Sequence, residues 1–225
     1  MTARRLERLA HPRFGVVILA AGASSRMGKP KLVLPWGKTS VLGHLIEQWK
    51  QAGGQIAVVH AAGDQVMDAE LNRLDFPVAN RIVNPQPERG MLSSIQGAAA
   101  WAGWNSGLTH WIIVLGDQPH LRPESLRELI EFAVSHPDKI CQPSRRGRPR
   151  HPVVLPKEIF EQLKDSRVET LKQFLQDNVS TVALREMDDP GLDLDLDTPA
   201  DYERALRRFL GSAESATSGK AGGLE

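Results

Sequence analysis

Val16-Val17-Ile18-Leu19-Ala20-Ala21-Gly22-Ala23-Ser24-Ser25-Arg26-Met27-Gly28-Lys29-Pro30-Lys31 is an apolar, β-branched run that gives way to small residues and then to cations. The first four residues read as a strand buried on both faces. Where bulk is replaced by Ala, Gly and Ser, backbone N–H groups can approach a ligand closely. Arg26, Lys29 and Lys31 add positive charge to the same loop. Strand, small-residue loop and clustered cations describe a cradle for a phosphorylated ligand. The pattern by itself also fits an ordinary basic turn.

Two familiar phosphate loops do not fit. A P-loop needs four residues between its glycines, then Lys and Ser or Thr. Gly22 and Gly28 are one residue too far apart, and Pro30 stands where the hydroxyl belongs. The Gly-x-Gly-x-x-Gly dinucleotide fingerprint is absent.

Beyond this loop, strands and helices alternate. Thr39 or Ser40 can cap a helix whose apolar positions Val41, Leu42, Leu45, Ile46 and Trp49 follow helical spacing, ended by Gly53-Gly54. Buried strands are expected at 56–59, near 81–83 and at 111–115, with helices around 66–74, 92–104 and from Pro123 to about 134. This order predicts an α/β fold, a Rossmann-like, mostly parallel sheet with helices on both faces. After residue 138 the rhythm changes. Residues 140–143 and 152–155 flank the basic turn Arg145-Arg146-Gly147-Arg148 and read as a hairpin, followed by helices at 157–163 and 168–176 and a strand at 181–185.

Two acidic sites stand out. Gly116-Asp117-Gln118-Pro119 follows the strand at 111–115, and ligands in open α/β sheets gather at carboxyl ends of strands. Asp117 alone would serve equally as a turn residue or helix cap. Leu192-Asp193-Leu194-Asp195-Leu196-Asp197 alternates, so an extended strand would place all three carboxylates on one face, where they repel unless solvated or paired with a cation. An EF-hand is excluded, because Thr198 and Arg204 occupy the positions that require Gly and Glu. Thr198-Pro199-Ala200-Asp201 is instead a capped helix start. Magnesium is commonly held by one or two carboxylates plus substrate phosphates, which suits this pair of sites. A third segment, Asn84-Pro85 with Gly90-Met91-Leu92-Ser93-Ser94, carries hydroxyls and N–H groups able to read a base or ribose, or serves only as a helix cap.

Together these segments resemble the MobA-like nucleotidyltransferases, the family that includes enzymes attaching CMP or GMP to molybdopterin. Residues 19–31 match its LAAGxSxRMGxxK signature, Gly116–Pro119 its GDxP motif, Asp195–Asp201 its C-terminal (D/N)xDTPxD motif, and Gly90–Ser94 its Gly-Met-x-x-Ser segment. The resemblance spans about residues 14–210. It implies a Mg2+-dependent transfer of a nucleoside monophosphate from a triphosphate, CTP as first choice, to a phosphorylated acceptor such as molybdopterin. Arg26, Lys31 and Asp117 would be catalytic. Leu19, Ala20, Ala21, Gly22, Ser24, Ser25, Arg26, Lys31, Asn84, Gly90 and Ser94 would hold the nucleotide. Asp117 and Asp197 would bind the metal, with Asp195 in support. Cytidylyltransferases of this group carry Gly-His-Pro followed by a Gly-Asp-x-Gly-x-Arg segment near the acceptor. Here the first becomes Arg150-His151-Pro152 and the second is replaced by Asp165-Ser166-Arg167. Arg150 and His151 are therefore expected to face the acceptor, an ordinary exposed hairpin tip being the alternative. Two other functions stay open: transfer to a sugar phosphate or other metabolite, and a non-catalytic pterin-cofactor chaperone for a molybdoenzyme partner.

Composition sets outer limits. The 225 residues are 41% hydrophobic and 24% charged, with net charge +1, which gives no global steering toward nucleic acid or membrane. Cys141 is the only cysteine, so an intramolecular disulfide and a cysteine-based zinc site are excluded. Arg4, Arg5, Arg8 and Arg13 before an apolar run imitate a secretory signal, but cleavage near Ala23 would remove most of the phosphate loop, so a cytoplasmic protein is expected. No run approaches the ~20 apolar residues of a membrane span. Residues 1–13 are expected to form an extension and the Ser/Ala/Gly-rich 211–225 a disordered tail.

Overall fold

The opening apolar run forms the central strand, β1 (Phe14–Leu19), from which a sheet grows in both directions. The structure is a computed structural model that describes residues 13–22, 27–51 and 53–218, with 212–218 as backbone only. The elements continue with β2 (Pro35–Trp36), β3 (Thr39–Ser40), α1 (Val41–Gln51), β4 (Gly54–Ala61), α2 (Gln65–Arg73), β5 (Arg81–Asn84) and α3 (Met91–Ala100). Then come β6 (His110–Leu115), α4 (Pro123–Ser135), β7 (Ile140–Arg145), β8 (Arg148–Pro149) and β9 (Val153–Pro156). The chain ends with α5 (Lys157–Gln162), α6 (Leu171–Asp177), β10 (Val182–Glu186) and α7 (Pro199–Ser218).

The main sheet runs β10-β7-β9-β6-β1-β4-β5, with β8 attached to β7. Pairing is parallel except around β9 and β8, which run antiparallel to their neighbours. Alternation along β1 sends Val16 and Ile18 to one face and Val17 to the other. The first face is covered by α1, α2, α4 and α7 through Leu45, Trp49, Leu71, Leu129 and Ala205. The second is covered by α3, α5 and α6 through Ile95, Phe160 and Phe174, with Phe160 stacked on Trp111 at a ring separation of 4.7 Å. The expected helices on both faces are present. Among the described residues, no helix is long and apolar enough to cross a membrane.

Strand order places the site. From β1 the chain steps to β4 and β5 on one side, then returns to β6 on the other. The order therefore reverses between β1 and β6, where open α/β sheets bind ligands. Leu19 and Leu115 are register partners, so the loops after both strands leave at the same level.

Several boundaries differ from the sequence reading. Residues 192–197 form no strand: Pro190–Asp193 is a 3-10 turn, capped by Asp189, which accepts from Gly191 N at 2.8 Å. A proline-glycine turn overrides the alternation, so the three aspartates do not share one strand face. The segment 152–155 lies beside β7, but its main ladder is with β6. It is β8 that closes the hairpin on β7. α3 stops at Ala100, where Trp104 folds back and donates its indole N–H to Ala98 O at 2.8 Å. α7 continues to Ser218, past the expected boundary at 210, since extending a formed helix costs far less than starting one. Residues 1–12 and 219–225 of the expected extension and tail lie outside the described residues.

Gly116 shows how tightly the strand ends meet. A Cβ there would lie 2.6 Å from Leu19 O and 2.9 Å from a Leu32 methyl. Gly116→Ala is expected to lower unfolding stability by about 1–3 kcal/mol, as forced overpacking does. Urea denaturation checks it; an unchanged midpoint would show that the two strand ends spread without cost.

Candidate active site

A cavity of about 530 Å3 opens at the ends of β1 and β6. Leu19, Ala21, Gly22 and Lys31 line it from the first loop, Gly90, Met91 and Ser94 from the start of α3, and Gly116 and Asp117 from the loop after β6. Ala20 is buried behind, its N–H bonded to Val59 O at 2.7 Å. Ser24, Ser25 and Arg26 lie outside the described residues. Lys31 begins a 3-10 turn anchored by buried Leu32, and its Nζ meets Asp117 Oδ2 at 2.7 Å with both side chains largely covered. This ion pair joins the small-residue motif after β1 to the first acidic motif.

Asn84 serves the cavity wall. It is buried, it does not line the cavity, and its side chain is fully engaged. Its Nδ2 donates to Ser93 Oγ at 2.8 Å and Ser94 Oγ at 2.9 Å, and its Oδ1 accepts from Gln86 N at 2.9 Å. These bonds fix the N-terminal turn of α3, where Gly90 adopts φ of 85°.

The second acidic segment reaches the same place from far along the chain. Leu196 N donates to Asp117 O at 3.2 Å, which sets residues 195–197 beside Asp117. Gln118 Nε2 donates to Asp195 Oδ1 at 2.9 Å. Asp195 is exposed along one side, yet desolvation of its carboxyl, then the neighbouring Asp117 and Asp197, hold its pKa above the usual carboxylate range. Asp197 is half-buried ahead of α7, where Thr198 and Asp201 cap each other: Asp201 N donates to Thr198 Oγ1 at 3.2 Å and Thr198 N to Asp201 Oδ2 at 3.1 Å.

These residues suit a divalent cation. Asp117 Oδ1 is buried with no hydrogen-bond partner, an orphan that a cation would satisfy. Among the described residues, no three His, Cys, Asp or Glu side chains form a self-sufficient metal cluster. Such a site would draw its remaining ligands from substrate phosphates and water.

Asp193 points elsewhere. It accepts from Arg150 Nε at 2.9 Å and Nη2 at 2.6 Å, and from Arg145 Nη1. The Arg150 guanidinium, with Arg145 beside it, holds its carboxyl below the usual range. Glu186 ties down the hairpin by accepting from Ser144 Oγ at 2.7 Å and Gly147 N at 3.3 Å. Arg150 thus enters the structure as half of a partly covered ion pair. His151 is half-buried, and its Nδ1 is buried without a hydrogen-bond partner. Burial pushes its pKa down to about 4 despite nearby Asp117 and a bond to the Ile113 backbone, so the ring is neutral at physiological pH.

Sequence reading missed Asp64 and Glu88 on the cavity wall, and Gln118 and His120 beside the acidic segments. Gln118 lies inside a motif already singled out, whereas the contacts of His120 depend on residues distant in the chain.

Comparison with known proteins follows the same lines. Residues 16–182 match the MobA-like NTP transferase domain. The chain belongs to this family. This MobA-like nucleotidyltransferase is 27% identical over 197 residues to the molybdenum cofactor cytidylyltransferase of Escherichia coli K12, covering 86% of this chain and 95% of that protein. It is 30% identical over 142 residues to the molybdenum cofactor guanylyltransferase of Rhizobium johnstonii, covering 61% of this chain and 59% of that one. Among solved structures, Rv0371c from Mycobacterium tuberculosis H37Rv matches with TM-score 0.70 and 27% identity, over 88% of this chain and 99% of that chain.

The depressed pKa of His151 has a measurable consequence. Between its folded value near 4 and the ordinary 6.5, the unfolded chain binds the extra proton, so this residue makes stability fall as pH drops through that window. His151→Gln is expected to flatten that fall, measured by urea unfolding from pH 7 to pH 4. Identical slopes would show that the ring titrates normally in the folded protein.

Proposed function

We propose that this MobA-like nucleotidyltransferase transfers CMP from CTP to the phosphate of molybdopterin, with Mg2+ at Asp117 and Asp197 and Asp195 in support. The observation that carries this reading is the Lys31–Asp117 ion pair in the cavity at the switch point, with the second acidic segment bonded beside Asp117 through Leu196 N. Similarity to the curated cytidylyltransferase over nearly all of that protein's length supports the choice of nucleotide and acceptor.

In this mechanism the triphosphate lies across the Leu19–Lys31 loop, with Ala21, Gly22, Ser24 and Ser25 offering small-residue backbone and hydroxyl contacts. Gly90 and Ser94 border the nucleoside end, behind which Asn84 braces α3. An acceptor phosphate oxygen attacks the α-phosphorus. The new P–O bond forms as the bond to the β-phosphate bridging oxygen breaks, and pyrophosphate leaves with that electron pair. Arg26 and Lys31 balance the charge that grows on the leaving group. Bound Mg2+ supplies Lewis-acid polarisation of the phosphate oxygens. The remaining contribution is positioning, so no side-chain nucleophile is needed. Arg150, steered by Asp193, and neutral His151 face the acceptor.

Pyrophosphate release with CTP, GTP, ATP and UTP against molybdopterin and sugar phosphates tests the substrates. Turnover is expected with CTP and molybdopterin. Preference for GTP would shift the reading to guanylyl transfer, and turnover with a sugar phosphate alone would overturn the acceptor. Asp117→Asn is expected to lower kcat by roughly 10²–10³-fold while cooperative unfolding persists.

Arg150→Ala is expected to raise the acceptor's KM roughly tenfold and leave the CTP KM unchanged, as loss of a charge-assisted contact to one substrate does. Steady-state kinetics with each substrate varied in turn checks this. An equal rise in both constants would place the hairpin at the nucleotide instead.

A further inference from the structure

The two acidic segments are joined by contacts that no motif describes. Reading along 117–125, each partner lies progressively earlier in 189–196. Asp117 O takes Leu196 N, and Gln118 Nε2 takes Asp195 Oδ1. His120 Nε2 lies 3.1 Å from both Gly191 O and Leu194 O. Both partners are carbonyl oxygens, so Nε2 carries the proton and donates to the two together. At the far end, buried Asp189 accepts from Arg122 N at 3.1 Å and Ser125 Oγ at 2.8 Å, closing the start of α4. The result is an antiparallel lacing of side chains and backbone outside any β-ladder.

Its middle rungs are partly covered and sterically exacting. Gln118 is buried. A Cβ on Gly191 would sit 3.3 Å from the His120 ring and from His120 O, so turn and loop touch directly. Burial lowers the His120 pKa despite its two carbonyl partners and nearby Asp189 and Asp195. Residues 194–197 lie in no β-ladder, and these contacts, with Leu196 buried in the core, help to place them.

We propose that His120 and Gln118 are positioning residues for divalent-cation binding: the His120 Nε2–H, through Gly191 O and Leu194 O, and the Gln118 amide, through Asp195 Oδ1, hold the second acidic segment beside Asp117 for a shared cation. This rests on the metal reading given above. Partners that orient metal ligands typically cost roughly 10–100-fold in metal affinity when removed.

The test exploits imidazole geometry. A Gln amide nitrogen can reach the position of His Nε2, whereas the shorter Asn cannot. Mn2+ is titrated by EPR against the full chain with CTP present, using CTP alone as blank, and thermal unfolding is followed in parallel. His120→Gln is expected to bind Mn2+ within about twofold of wild type, and His120→Asn roughly tenfold more weakly, at similar Tm. Gln118→Met, which conserves volume, provides a second variant with the same expected loss. Wild-type Mn2+ affinity in both His120→Asn and Gln118→Met overturns the inference, as does loss in His120→Gln equal to that in His120→Asn. Asp117→Asn separates the two readings. If it also binds Mn2+ normally, the metal reading falls and the inference with it. If Asp117→Asn loses Mn2+ while the other variants keep it, only the inference falls.

Discussion

Parallel pairing of β1 with β6, ending at Leu19 opposite Leu115, is the constraint on which the site depends. Adjacent parallel strands in register deliver their following loops to the same level, and the absence of a side chain at Gly116 lets those loops leave almost in contact. Lys31 and Asp117, 86 residues apart, can then meet at 2.7 Å. The third segment arrives through Leu196 N on Asp117 O, so it too is referred to the end of β6. A shift of either strand would separate these groups together.

Gathering carboxylates has an electrostatic cost. Asp117, Asp195 and Asp197 repel, and the raised pKa of Asp195 is the visible sign, after desolvation. Lys31 offsets part of that repulsion, and Gln118 offers Asp195 a donor. Burial lowers the pKa of both nearby histidines, that of His151 to about 4. Among the described residues, Lys31 is the cation seen in contact with Asp117.

Legibility tracked sequence distance. The strands at 14–19, 54–61 and 110–115 and the helix at 41–51 follow local apolar spacing, and all form close to where that spacing puts them. Ser40 rather than Thr39 caps α1, accepting from Gly43 N at 2.9 Å. The Thr198–Asp201 box forms because its partners are three residues apart. Alternation at 192–197 misled, because period-two spacing also occurs in a chain bent by Pro190-Gly191 and held by side chains from another loop. The hairpin at 145–148 was legible from its turn, but the insertion of β9 between β7 and β6 was not, since it depends on which apolar edge β6 offers.

The amino-acid sequence by itself determined the α/β order, the buried centre of the sheet, the small-residue motif after the first strand and both acidic motifs. Each is written in neighbouring residues, where backbone periodicity, capping and turn chemistry act over a few positions. Tertiary structure alone decided that Asp193 would serve Arg145 and Arg150 while Asp195 turned to Gln118, and that Asn84 would brace α3 from behind the cavity. It also set His151 beside Asp117 with a neutral ring. Those outcomes turn on pairing between segments tens of residues apart, and on the desolvation such pairing imposes, which no local pattern encodes.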